Sequence, residues 1–292
     1  RNNGLTLRVS YYLSSQKSGA ELADYENLTQ LLPSGFGDDM LRFGGIGEIV
    51  TWASWTDGDP TDEAMAELEK IIRWAAARRM GFQIHWNPER TVDKLLTILE
   101  RVNAETPLAP LRWAINHLYN ASDKSLQRIK ALGIGWSVQD SLYYSGAQFK
   151  KVFGVDVAQR SPPIRNALDM GVKVGAGTDA HRVSNYNPFV SLGWFVTGRT
   201  IDGKSTIGEG QHPTRAEALR MYTMGSAWFA NADDRRGSLE PGKFADLAVL
   251  SRDYMTVPEN EIAGIESLLT IVGGKIVYAA GPYEALEAKA GR

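Results

Sequence analysis

The chain has 292 residues, 43% of them apolar, enough to bury a large core in one α/β domain or in two smaller ones. Its formal net charge of −2, from 32 basic and 34 acidic residues without a long run of one sign, argues against a nucleic-acid binder. No stretch approaches ~18 consecutive apolar residues, which argues against a membrane span, and the absence of cysteine excludes disulfides, thiolate zinc sites and a cysteine nucleophile.

The chain opens on Arg1 rather than Met, so the start of the natural protein is expected upstream; no signal-peptide pattern is read in its first residues, and Leu5–Tyr12 already reads as a strand. A second strand is expected at Leu41–Glu48. Residues 62–80 predict a helix with Leu68, Ile71, Ile72 and Ala75 on one stripe, Thr61 as its N-cap and Gly81 ending it. Phe82–His85 is a short strand, followed by a helix from about 91 to 103 that turns Val92, Leu95, Leu96, Leu99 and Val102 inward. The alternation repeats with a strand at Leu111–Asn116, a helix at 123–132 between Ser122 and Gly133, and a strand at Ile134–Val138. Ser161-Pro162-Pro163 starts another helix, because proline fits the first turn. Val172–Ala176 is a strand running into Gly177-Thr178-Asp179, and Thr214 with Glu217 forms a capping box for a helix through Trp228.

Strands that alternate with helices imply a parallel sheet with helical crossovers. Six such strands are legible, whereas a closed (β/α)8 barrel needs eight. The expectation is therefore an α/β chain carrying strands three to eight of a barrel over residues 1–233, with the first two strands preceding Arg1. After Asp233 the texture changes. Gly237–Lys243 is turn-rich, Phe244–Leu250 is an apolar strand, and Leu268–Val272, Gly273-Gly274 and Lys275–Tyr278 read as a hairpin. Residues 234–292 are expected to form a small β-rich unit.

Glu48, His85, His117 and Asp179 fall at the C-terminal ends of separate strands, the rim where a parallel barrel places its active site. About one βα unit separates His85 from His117, and about two separate His117 from Asp179. Two imidazoles and a carboxylate suit a borderline divalent cation such as Zn²⁺ with coordination positions left for water. The cation lowers the pKa of that water towards ~7, and a nearby carboxylate takes its proton and hands it to a leaving amine. A single histidine at a strand end is more often structural, and Glu48 reads equally well as a salt-bridge acid. His181 and Arg182, on the loop after Asp179, are candidate substrate contacts, Arg182 for an anionic group. His212 reads as structural, while Ser141, Tyr143 and Tyr144 follow a strand end without a specified role. Trp52, Trp55, Trp86 and Trp136 lie at strand ends, as core or as pocket wall. Gly175-Ala176-Gly177 lacks the third glycine of a dinucleotide loop.

At these residues the chain resembles the amidohydrolase superfamily. His85 after its strand, Asn116-His117 and Gly177-Thr178-Asp179 are similar to the ligand motifs of that superfamily's fifth, sixth and eighth strands. Gly237–Leu250 and Thr270–Tyr278 are similar to its C-terminal segments, and the nearest branch is that of N-substituted formamide deformylase and exoenzyme-regulator-like proteins. The resemblance implies a (β/α)8 barrel, one or two divalent metals with zinc foremost, and hydrolysis of amide-type C–N bonds. It implies His85 and His117 as ligands and Asp179 as general base and ligand or near-ligand. Three positions depart from it. No His-x-His pair is present. Glu48, a candidate bridging ligand, stands near the place of a carboxylated lysine, and Asn116 stands where relatives commonly carry Glu.

The expected partners are a small-molecule substrate and, through exposed strand edges, a homo-oligomer left open. Neither nucleic acid nor membrane is expected, and the expected compartment is the cytoplasm. Two other readings stay open: a catalytically incompetent fragment or binding module on the same barrel, and a barrel glycosidase using Glu48 and Asp179 as its paired acids.

Overall fold

The computed structural model describes residues 4–15, 17–51, 58–180, 183–203 and 207–286. In chain order the strands are β1 Val9–Leu13, β2 Leu41–Ile46, β3 Gln83–Trp86, β4 Ala114–His117, β5 Gly135–Gln139, β6 Lys173–Gly177, β7 Leu247–Leu250, β8 Ser267–Val272 and β9 Lys275–Ala279. The helices are α1 Glu21–Leu28, α2 Asp62–Ala77, α3 Glu89–Glu105, α4 Asp123–Ala131, α5 Ser141–Phe153, α6 Val155–Gln159, α7 Ile164–Met170, α8 Pro188–Thr197, α9 Arg215–Arg220 and α10 Ser226–Phe229. Among the described residues no helix is long and apolar enough to cross a membrane. The chain divides into two compact units, one of residues 8–138 and 160–174, the other of 1–7, 139–159 and 175–292.

In the first unit, β1 pairs parallel with β2, and β3, β4 and β5 pair parallel in turn. A parallel bridge from Ile46 to Phe82 and the bond from Ile46 N to Gly81 O (3.0 Å) carry β2 on to the start of β3. All six strands read from the sequence are present. The helices lie as their apolar stripes demand: α2 buries Met65, Leu68, Ile71, Ile72, Ala75 and Ala76, and α3 buries Val92, Leu95, Leu96, Ile98, Leu99 and Val102. Thr61 caps α2 by accepting from Ala64 N (3.2 Å), and Ser122 caps α4 by accepting from Ser125 N (3.1 Å), so each hydroxyl satisfies one open amide of a first turn.

Trp113 stacks on Phe82 with ring centroids 4.6 Å apart and donates to Met80 O. Trp86 and Trp136 are core side chains, 2% and 0% exposed. Trp52 and Trp55 lie outside the described residues.

Two glycines let β2 run backbone-on-backbone against the next strand. Gly45 has φ +147, and a Cβ there would sit 1.9 Å from Gly81 O; Gly47 has φ +143, and its Cβ would sit 2.2 Å from Gln83 O. No side chain fits either place. Glu48 is thereby delivered directly beside β3, where its carbonyl accepts from His85 N (3.0 Å).

In the second unit, β7, β8 and β9 form the antiparallel sheet expected after Asp233. Gly273 (φ +58) and Gly274 (φ +79) make the tight turn between β8 and β9, whose twist requires positive φ at both positions. The capping box of Thr214 and Glu217 is formed. The helix it starts does not run unbroken to Trp228, however. Five residues of π-helix, Met221–Gly225, separate α9 from α10. The inserted residue coincides with close packing on the end of β6, where Ser226 Oγ donates to Ala176 O (2.8 Å) and a Cβ on Gly175 would meet Phe229 at 2.6 Å.

Candidate metal centre

Three strand ends of the first unit converge. His85 is the third residue of β3, on the same face as Gln83, and pairs in register with Asn116 of β4. Strand alternation would send Asn116 and His117 to opposite faces. Instead both reach one oxygen: Asn116 Nδ2 donates to Glu48 Oε2 at 3.1 Å, and His117 Nε2 lies 3.1 Å from the same atom. The alternation breaks because His117 (φ +70) and Leu118 (φ +46) are both left-handed. Such residues cost roughly 1–3 kcal/mol each and persist where the surroundings over-determine them. Here Trp136 Nε1 donates to His117 O (2.7 Å) and Leu118 N donates to Trp86 O (2.9 Å), pinning the turn.

His85 Nδ1 faces Glu48 Oε1 at 3.9 Å, and its Nε2 is 3.4 Å from Asn87 Nδ2. The two imidazoles meet edge to face with centroids 4.5 Å apart. Tyr119 Oη lies 3.2 Å from His117 Nδ1. One ligand atom from each of Glu48, His85 and His117 falls within 4.8 Å of the others. Two nitrogens and a carboxylate at that separation fit a borderline divalent cation such as zinc, whose N and O ligands sit ~2.0–2.2 Å from the ion. Asn116 Oδ1 is also buried with no hydrogen-bond partner among the described residues.

Burial by itself would push the Glu48 carboxyl up. The hydrogen bond and charge of His117 outweigh it, with Asn116 and His85 adding to them, and hold the group down at about 2 against an ordinary 4.5. Glu48 is therefore an anion throughout the neutral range.

Asp179 lies two residues past β6 in the second unit, half-buried and with φ +57. His181 and Arg182 lie outside the described residues. His212 is structural, its Nε2 2.7 Å from Ile207 O. Tyr144 Oη accepts from Asn185 N (3.1 Å), tying down the loop after Asp179.

Sequence reasoning passed over Asp140, although it directly follows β5 and so lies at a strand end as the other candidates do. It is fully buried, and its Oδ1 accepts from Ser184 Oγ at 2.7 Å. Burial pushes its carboxyl up to about 6 from the usual 3.8; the Ser184 bond opposes this and the Asp179 charge adds to it. An acid whose folded value is raised stabilises the fold when protonated, and that contribution is lost as pH rises through the window between the two values. Asp140's own contribution should shrink by about 3 kcal/mol between pH ~4 and ~6. D140N should remove that slope. Urea denaturation of both proteins across the window checks this, and parallel profiles would contradict it.

The profile of the Amidohydrolase family matches residues 1–278. The N-substituted formamide deformylase of Arthrobacter pascens is 27% identical over 219 residues, 73% of this chain and 39% of that protein. The imidazolonepropionase of Micrococcus luteus is 32% identical over 139 residues, 47% of this chain and 32% of its own length. The chain thus spans well under half of these relatives. Among solved structures, a metal-dependent hydrolase from Pyrococcus horikoshii OT3 superposes with a TM-score of 0.65 at 22% identity, covering 87% of this chain and 52% of the other. A mutant of the atrazine chlorohydrolase from Arthrobacter aurescens TC1, complexed with zinc and atraton, gives 0.63 at 18% identity, with 98% and 66% covered. At these identities the likeness establishes the fold.

Proposed function

Because the chain belongs to the amidohydrolase family, we propose that it carries the metal-binding portion of a hydrolase acting on carbon–nitrogen bonds of small, non-peptide molecules. The convergence of Glu48, His85 and His117 from three strand ends carries the reading. These residues would hold a divalent cation, zinc foremost, in a (β/α)8 barrel of which residues 1–233 carry strands three to eight, with the β-rich residues 234–292 appended.

When bound, such a cation supplies Lewis acidity and lowers the pKa of water towards ~7. Glu48 contributes the negative charge of the ligand set and stays ionised because His117 and Asn116 hold it. His117, 3% exposed, and Asn116, 5% exposed, are the buried partners of one Glu48 oxygen, while the Glu48 side chain keeps 31% of its surface open to water. Asp179 is assigned the general-base role on its motif: its carboxylate takes the proton of the attacking water and delivers it to the departing nitrogen. His181 and Arg182 are assigned to substrate. The names of the relatives, a deformylase and an imidazolonepropionase, support attack at a carbon bonded to nitrogen.

The test uses the full-length protein purified without added metal. It should contain at least one equivalent of zinc or a similar ion. It should release formate from an N-substituted formamide, or open a cyclic amide, in a reaction that a chelator stops and added metal restores. Metal-free protein whose activity no divalent ion raises would overturn the reading.

A further inference from the structure

We propose that Tyr119 is a positioning residue for His117, holding the ring by Nδ1 so that Nε2 is the nitrogen offered to Glu48 and to a cation. The inference rests on the metal reading above and adds to it how the ligand is kept in one orientation. An imidazole presents a chosen nitrogen reliably only when the other has a partner. Here Nδ1 has Tyr119 Oη at 3.2 Å and Nε2 has Glu48 Oε2 at 3.1 Å. The ring is 3% exposed, so bulk water does not readily replace the hydroxyl.

The backbone explains why a residue only two positions on can reach back. The consecutive left-handed residues His117 and Leu118 reverse the chain, and their bonds from Trp136 and to Trp86 fix the reversal. The tyrosine ring then lies tilted against the imidazole, centroids 5.8 Å apart.

A tyrosine hydroxyl suits this place because it both donates and accepts. Without metal, Nε2–H donates to the Glu48 carboxylate and the Tyr119 hydroxyl donates to Nδ1. With the Nε2 lone pair given to a cation, the ring proton resides on Nδ1 and the same hydroxyl, rotated, accepts it. With the ring neutral in both states, the proton changes nitrogen, and none is gained or lost. A carbonyl or carboxylate there would serve the second arrangement alone; a phenyl ring would serve neither.

The test compares full-length wild type and Y119F, using Zn²⁺ alone as titrant for the metal-free proteins in calorimetry. Loss of such a partner typically weakens metal affinity about 10–100-fold, and that is the expected result. Nitrogen-15 spectra of the His117 imidazole give a second readout, whose wild-type arm does not depend on how well the variant folds. In wild type the proton should sit on Nε2 without metal and on Nδ1 with zinc; in zinc-loaded Y119F the Nδ1 proton should exchange with water faster. Equal zinc affinity in the two proteins, or a zinc-loaded wild type with Nδ1 unprotonated, would overturn the role of Tyr119 while leaving the metal site standing. Zinc uptake by neither protein would overturn the metal reading and this inference with it.

Discussion

Replacing Glu48 with glutamine should lower zinc affinity of the full-length protein at least ~100-fold, the upper end of what loss of a supporting group costs, because here a ligand charge itself is removed. Glu48 is the sole anionic donor of the three-residue cluster, and the imidazoles contribute no negative charge. With the amide oxygen kept where Asn116 Nδ2 and His117 Nε2 converge at 3.1 Å, its NH2 would replace the oxygen that faces His85 Nδ1 at 3.9 Å, setting a donor where a ligand atom now stands. Calorimetric titration with Zn²⁺ measures the effect, and an E48Q protein binding zinc within a factor of ten of wild type would remove Glu48 from the ligand set.

The same substitution has a signature without metal. The folded Glu48 group is held at about 2 against its usual 4.5, so the stability it contributes is present above the usual value and is lost as pH falls through the folded one. The full shift corresponds to about 3 kcal/mol. The actual contribution should be smaller, since the side chain is 31% exposed to water. Metal-free E48Q should lack this acid-sensitive component.

Gly45→Ala should be the most damaging small substitution in the first unit, destabilising it by at least ~3 kcal/mol. Two costs combine. The backbone is in a region essentially reserved for glycine (φ +147), and the new methyl would lie 1.9 Å from Gly81 O, a backbone atom that cannot swing aside. Gly19→Ala separates them, because Gly19 also has positive φ (+80) but nothing within 4 Å of its would-be Cβ. That variant should lose only the conformational part, about 1–2 kcal/mol. Urea denaturation of the two variants measures the difference, and equal losses would show that the close approach of β2 to Gly81 contributes nothing. Because Glu48 follows three residues later on the same run, G45A protein that still folds should bind zinc more weakly.

The strands and helices that form the first unit were legible because their apolar residues recur at the period of the element: Leu68, Ile71, Ile72 and Ala75 on α2, and Val92, Leu95, Leu96, Leu99 and Val102 on α3 are buried as the spacing requires. Helix α8 was not. Its segment, with Leu192, Trp194 and Phe195 buried around Gly193, is apolar on every side and shows no period. Helix α5 buries only Ser141, Leu142 and Gly146, too few to mark a stripe. The π-helical interruption at Met221–Gly225 was invisible for another reason: it answers packing against Gly175 and Ala176, far away in sequence.

Within the site, Glu48, His85 and His117 could be read because polar side chains at the ends of apolar strands are few. What escaped was orientation. Nothing in the order Asn116-His117 says that both side chains point to one carboxylate, since that follows from a left-handed backbone pinned by Trp136 and Trp86. Asp140 escaped because its importance lies in complete burial, which a strand-end aspartate does not announce.

The claim that Glu48, His85 and His117 grip one cation is tested most directly by anomalous diffraction at the zinc edge from crystals of the full-length protein grown with zinc. The account predicts a peak ~2.0–2.2 Å from His85 Nδ1, His117 Nε2 and a Glu48 carboxylate oxygen. Well-ordered rings in their present places with no peak between them, or zinc bound elsewhere in the chain, would contradict it.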